Sequence, residues 1–255
     1  MQRRLRAPWL LAVVVACGCS PQAPTIDVMS SGGFAAAYDV LAPEFTQRSG
    51  TTLNTVYGSS MGGSPTSIPN RLDREEPADV VILASDALER LIANGQVIAG
   101  SRVDLANSLI GMAVRSGTPA PDISTVEAFE RTLLDAESIA YSASASGTYL
   151  STELFPRLGI ADRIEDRSIR VVGERVGSVV ARGEAQIGFQ QVSELLPMEG
   201  ITYVGTIPAE VQKVTTFSAG IATGARDEER ARSLIEFLAS TEAAPVVART
   251  GMEPH

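Results

Sequence analysis

The sequence predicts an α/β protein of two lobes, each a mostly parallel sheet flanked by helices, with a ligand cleft between them. Short β-rich runs alternate with longer amphipathic ones, which is the pattern of strand–helix–strand units. The alternation runs twice, over residues 25–114 and again over 115–207, and residues 208–255 supply returning strands and a closing helix. Three strand-to-helix turns of serine and glycine also fall at equivalent places in the two series.

Taken in order, residues 25–29 read as a strand running into Ser30-Ser31-Gly32-Gly33. A helix follows over about 34–48, with Ala37, Leu41 and Phe45 on one face and Gly50 to stop it. Residues 53–57 form the next strand, ahead of Gly58-Ser59-Ser60-Met61-Gly62-Gly63 and a proline-marked helical stretch. Residues 79–83 are a third strand, Ser85 caps a helix reaching Asn94-Gly95, and 109–114 is a strand leaving this unit. The second series has a helix near 126–134 capped by Ser124, a strand at 138–141, and the turn Ser142 to Gly147 leading into a helix over 148–158. Strands at 169–172 and 186–189 then bracket a helix near 176–182. Residues 201–207 and 215–222 are returning strands, and 228–239 is an amphipathic helix with Ala231, Leu234, Ile235 and Leu238 on its apolar stripe. The expected first lobe is 25–114 with 208–255 and the second is 115–207, with crossings near 114–117 and 205–208.

Residues 1–19 carry Arg3, Arg4 and Arg6 ahead of an apolar run over 9–16 that is too short to span a bilayer, so they read as an export signal. The small residues before Cys17 resemble a lipoprotein processing site, which would place a lipid on Cys17 at the outer face of the membrane. Ordinary cleavage, for instance before Ala23, would instead release a soluble periplasmic chain. Cys17 and Cys19 are the only cysteines, so no disulfide is expected in the folded part.

Composition narrows the chemistry further. Hydrophobic residues make up 44% of the chain, enough for a sizeable core. Removing the three signal arginines leaves 18 basic against 30 acidic residues, so the folded part is strongly acidic and nucleic acid is not an expected partner. The only histidine is His255 and the only lysine is Lys213. Catalytic Ser-His-Asp and Cys-His sets and histidine zinc sites are therefore excluded, and we expect a monomer with no cofactor and no metal. An anion must be held by arginine, hydroxyls, amides or backbone N–H groups.

The three turns offer such groups. Glycine lets the backbone approach a ligand, serine adds a hydroxyl, and a helix start contributes its dipole. Any one such turn is commonly just a cap, but three of them, two in one lobe and one in the other, would surround a ligand in a closing cleft. The candidate contacts are Ser30, Ser31 and Gly32, then Ser59, Ser60 and Met61, then Ser144, Ala145, Ser146 and Gly147. Gln190 and Gln191 follow a strand and would also face the cleft. Arg71, in a proline-constrained loop, is either a bidentate carboxylate binder or a solvated surface arginine, and Arg175 reads as a structural partner of Glu174. On this reading Ser60→Ala should weaken ligand binding and leave stability nearly unchanged.

The order of these motifs, with Pro77-Ala78-Asp79-Val80, Leu105 to Leu109, Gly183 to Gly188 and Ile235 to Leu238, resembles the molybdate-binding proteins of ABC importers. That resemblance implies the type II periplasmic binding protein fold, capture of a small anion and delivery to a membrane permease. In that family a serine from each of the first two turns, an amide of the third turn and a tyrosine hold the oxyanion. Here these positions match Ser31, Ser60 and residues 145–147, while the tyrosine position is Gln191. The stretches Ser60 to Gly62, Pro69 to Leu72, Ala181 to Gln186 and Gly188 to Gln191 are also similar to aconitate isomerases, which move a proton along an allylic tricarboxylate. The two resemblances leave a molybdate-type oxyanion and a polycarboxylate as alternative ligands. No residue stands out in the sequence as the base that an isomerase requires.

Overall fold

The computed structural model describes residues 23–255, so the expected export segment with Cys17 and Cys19 lies outside the described residues. The chain opens with β1 (Thr25–Ser31), α1 (Gly32–Ser49), β2 (Thr52–Gly58), α2 (Ile68–Asp73), β3 (Val80–Ala84) and α3 (Ser85–Ala93). Helical crossovers return each strand in the same direction, and β1 pairs in parallel with both β2 and β3. Central β3, of sequence Val-Val-Ile-Leu-Ala, is buried along its whole length, whereas the edge strand β2 is largely exposed.

β4 (Val103–Ser108) belongs to the same sheet and β5 (Ile110–Arg115) to the second, so the chain changes sheets at Leu109. This is earlier than the expected crossing after Val114, because the sequence has no turn signal between the two strands. The second sheet continues through α4 (Val126–Asp135), β6 (Ile139–Ser142) and α5 (Ala145–Tyr149). A π turn at Leu150–Leu154 joins α5 to α6 (Phe155–Arg157), and α7 (Ala161–Ile164) and β7 (Ser168–Val171) follow. α8 (Val176–Ala181), β8 (Ile187–Gln191), α9 (Val192–Leu195) and β9 (Ile201–Thr206) complete this half. The chain then returns to the first sheet with β10 (Thr215–Ile221), α10 (Glu228–Leu238), α11 (Ala244–Arg249) and β11 (Glu253–Pro254).

The first sheet has the order β11-β4-β10-β3-β1-β2 and the second β7-β6-β8-β5-β9. Each has a parallel core, β2-β1-β3 and β7-β6-β8, and the two strands reached by crossing, β10 and β5, pair antiparallel to their neighbours. In the first lobe Phe34, Tyr38 and Leu41 of α1 pack with Val80, Ile82, Phe217 and Leu234. In the second Phe129 meets Phe189 edge-on, with ring centroids 5.8 Å apart. Gln212, between β9 and β10, spans both crossings: its Oε1 accepts from Ile110 N at 2.9 Å and its Nε2 donates to Ile110 O at 3.0 Å.

Asp79 ties the first lobe together. It is 2% exposed and accepts from Asp27 N at 2.7 Å, Arg226 N at 2.7 Å and the Arg226 guanidinium at 2.8 Å. Burial alone would raise its pKa, but Arg226 and the two backbone donors outweigh it and hold the carboxyl below its usual range. A depressed folded-state pKa stabilises the fold above the unfolded value and loses that contribution on acidification. Asp79→Asn should therefore cost about 2 kcal/mol at neutral pH. In urea titrations, the gap between wild type and Asp79→Asn should narrow as pH falls below about 4.

Candidate functional site

Residues at and beyond the C-terminal ends of β1, β2, β6, β7 and β8 enclose one cleft of about 190 Å³ between the sheets, a size suited to a small ligand. On the first wall, Gly32 and Gly33 open α1. The α1 N-cap, Ser31, is extended but makes no side-chain cap bond, and α1 has no acidic residue in its first turn. Beside it, a Cβ on Gly58 would stand 2.1 Å from Thr66 O, so glycine is needed for the turn to fold against that loop.

The facing wall is the turn after β6. Ser142 Oγ accepts from Ser144 N at 3.2 Å, and α5 starts at Ala145 with no side-chain cap. Gly147 is forced by crowding, because a Cβ there would lie 1.7 Å from Ser142 O. The two walls touch where Gly62, at φ 97°, packs against Ala143 O. Two helix starts without side-chain caps thus border one cleft, and their N–H groups and dipoles favour an anion.

Among the described residues, Arg175 is the one cation lining the cleft. It precedes α8 as its N-cap and touches Met198 Sδ at 3.7 Å, and no carboxylate lies within ion-pairing distance of it among the described residues. Its neighbour Glu174 is instead paired with Arg182 at 2.9 Å. Opposite the start of α1, Glu194 of α9 also lines the cleft. Its Oε1 accepts from Gln190 Nε2 at 2.8 Å and rests on Gly32, where a Cβ would come within 2.3 Å. Burial pushes the Glu194 pKa up to about 7, against the opposing pull of Arg175 and Gln190. Ser193 secures α9 to the first lobe by donating to Gly33 O at 2.6 Å.

Of the residues singled out in the sequence, Gly32, Ser59, Ser60, Met61, Ser144, Ala145, Ser146, Gln190 and Gln191 line this cleft. Ser30, Ser31 and Gly147 are not among the residues that line it. Ser30 Oγ donates to Ser31 O at 3.3 Å, and Ser31 Oγ is buried without a hydrogen-bond partner. Arg71 does not reach the cleft lining: its Nε donates to Thr66 O at 3.2 Å and its guanidinium pairs with Glu76 at 2.5 Å. Of the two alternatives the sequence left for Arg71, the structure shows an arginine engaged by Glu76 outside the cleft, and Arg182 takes the place expected of Arg175 as the partner of Glu174. Glu194 went unmarked because a Ser-Glu pair at a short helix start looks like an ordinary first-turn acid. Its position four residues after Gln190 was the one available signal.

Residues 26–253 match the model of the bacterial extracellular solute-binding protein family. The chain is 47% identical over 230 residues to an aconitate isomerase of a Pseudomonas species, covering 90% of this chain and 88% of that relative. It is 24% identical over 252 residues to the molybdate-binding protein ModA of Azotobacter vinelandii, covering 95% and 97%. Among solved structures, the periplasmic molybdate-binding protein of A. vinelandii superposes with a TM-score of 0.72 at 19% identity, over 89% of this chain and 98% of that one. The last match concerns the fold alone, and it agrees with the two-lobed type II fold expected from the sequence.

Ser60 has a structural task as well as a place in the cleft, since its Oγ accepts from Ala84 N at 3.0 Å in a buried setting. This corrects the expectation that Ser60→Ala leaves stability unchanged. The substitution should orphan a buried N–H and lower stability by about 1–3 kcal/mol, read as a reduced urea midpoint at unchanged slope.

Proposed function

The chain belongs to the bacterial extracellular solute-binding protein family, and from that premise we propose that its cleft is an active site that moves a proton along an aconitate-type tricarboxylate. The observation that carries this reading is the placement of Glu194, a carboxyl in the cleft wall whose Oε1 is held by Gln190 and lodged against Gly32, with burial raising its pKa toward neutrality. In a pure anion receptor an ionised carboxylate repels the ligand. A group that exchanges its proton near neutral pH is instead what general acid–base catalysis requires. The 47% identity to a relative named aconitate isomerase supports the same chemistry.

The step needs nothing beyond substrate and protein. Ionised Glu194 takes a proton from the substrate CH2 carbon beside a carboxylate, and the electron pair spreads over the three-carbon allylic unit. Glu194, now protonated, returns the proton to the far carbon, so the double bond shifts by one position and forms with the other geometry. No electrons are lost or gained and no water is consumed. Arg175 and the starts of α1 and α5 hold the carboxylates and stabilise the charge that builds on them in the transition state.

A second reading, capture of a small anion for an ABC permease, is favoured by the family and by the molybdate-binding relative. There Glu194 would serve as a neutral hydrogen-bond donor to a bound oxyanion. In both readings the protein acts outside the cytoplasm as a monomer, exported by residues 1–19, with a lipid on Cys17 as one route of retention.

Incubation with trans-aconitate in D2O, followed by proton NMR, separates the two. Isomerisation is expected, with deuterium entering only to the extent that the protonated Glu194 exchanges with solvent before returning its proton, and Glu194→Gln should slow the isomerisation by about 10²–10⁴-fold while trans-aconitate still binds. Tight binding of trans-aconitate or molybdate by wild type with no isomerisation would replace the isomerase with the receptor. Calorimetry tests the arginine assignment separately. Arg175→Ala should weaken trans-aconitate binding about tenfold to a hundredfold, whereas Arg71→Ala should change it by less than about threefold.

A further inference from the structure

We propose that Gln190 is a positioning residue that fixes which oxygen of Glu194 faces the ligand, leaving Oε2 as the oxygen that gains and loses the proton. The geometry leaves little freedom. Val176 N, the first N–H of α8, donates to Gln190 Oε1 at 2.9 Å. A backbone N–H can only donate, so the amide oxygen must lie on that side and the NH2 on the other. That NH2 donates to Glu194 Oε1 at 2.8 Å. An amide NH2 cannot accept, so Oε1 must offer it a lone pair whether or not Glu194 is protonated. The carbonyl oxygen of a protonated carboxyl is a better acceptor than its hydroxyl oxygen, so this contact favours the proton on Oε2.

A second contact holds the same oxygen. Oε1 lies 2.3 Å from the position a Cβ on Gly32 would occupy, so it is lodged against the Gly32 backbone at the start of α1. Gln190 itself is 3% exposed on β8, so its amide is enclosed by its neighbours. The one amide therefore caps α8, directly after Arg175, and orients Glu194 of α9.

The charged groups around Glu194 are few. Arg175 faces it from the turn before α8, while Glu174 of that turn is neutralised by Arg182. From α1 the Gly32 backbone meets it, β2 contributes Tyr57 to the same cleft, β8 the neutral Gln190 and Gln191, and β10 Phe217. Loss of the Gln190 donor would remove a contact that favours the ionised carboxylate, with no other side-chain hydrogen bond to replace it.

The orientation stands on geometry alone, whereas its consequence for turnover rests on the isomerase reading, and the test keeps the two apart. In wild type, the side-chain amide NMR signals of Gln190 should titrate with the Glu194 carboxyl, and this titration should vanish in Glu194→Gln. In Gln190→Met, the carboxyl titration of Glu194, assigned by its absence in Glu194→Gln, should move up by about one pH unit. The rising limb of kcat for trans-aconitate isomerisation should move with it, while KM changes less than about threefold. Gln190 amide signals that ignore the Glu194 titration would overturn the proposal, even if Gln190→Met does not fold. An unmoved carboxyl titration in a folded Gln190→Met would also overturn it. Absence of isomerisation in wild type would remove the isomerase reading and leave the orientation to be judged on the two titrations.

Discussion

The cleft is organised by the first turn of α1, a helix of 18 residues that starts without a side-chain cap. Its leading N–H groups and its dipole call for negative charge or an acceptor. A cap from Ser31 would have met that need, but Ser31 Oγ makes no such bond. Gly32 and Gly33 follow because only residues without a side chain let other groups approach this helix end. A Cβ on Gly33 would fall 2.0 Å from the Phe217 ring, and one on Gly32 would strike Glu194. The second lobe uses that open surface, docking α9 through Ser193 and setting Glu194 beside the helix start. The same lack of a side-chain cap at α5 completes the arrangement from the other side.

Glu194 and Arg175 are close enough to influence one another and too far apart to pair. A direct ion pair would return the carboxyl to its ordinary range and consume the guanidinium that a ligand needs. Separation keeps both available, so burial dominates and the carboxyl titrates near neutrality. Glu174 is the obvious competitor for Arg175, being adjacent in sequence, and Arg182 removes it by holding the Glu174 carboxylate at 2.9 and 3.2 Å. An exposed pair of this kind contributes little to stability. Its effect here is to leave the cleft-facing cation uncommitted.

The parts of this design that depend on local chemistry could be read from the sequence. The three serine and glycine turns were legible because glycine after a strand and before a helix has few other uses, and most of their residues do line the cleft. The arginines were not, because side-chain pairing is decided in space. Arg71 is engaged by Glu76 five residues on, a spacing that could equally have turned the two apart. The crossing at Leu109 was hidden for a related reason. Two polar residues of β4 meet partners over a hundred positions away, with Ser218 donating to Asp104 at 2.6 Å and Thr216 to Asn107 at 2.8 Å. Glu194 was least legible, since its proton affinity comes from burial against Gly32, which lies far off in the chain.

The same balance couples ligand binding to the proton. Arg175 pulls the Glu194 pKa down, and a ligand carboxylate settling on Arg175 would cancel that pull while adding its own negative charge nearby. Both changes raise the proton affinity of Glu194, so the anion that occupies the cleft makes the carboxylate a stronger base. By linkage, a protonated Glu194 must in turn favour the anion. A receptor with this arrangement would hold its ligand more tightly as the surroundings acidify. An enzyme would gain a base that strengthens only when substrate is in place. The fold supplies the anion-holding helix starts in either case, and what distinguishes the two is whether the ligand carries a carbon acid within reach of Glu194 Oε2.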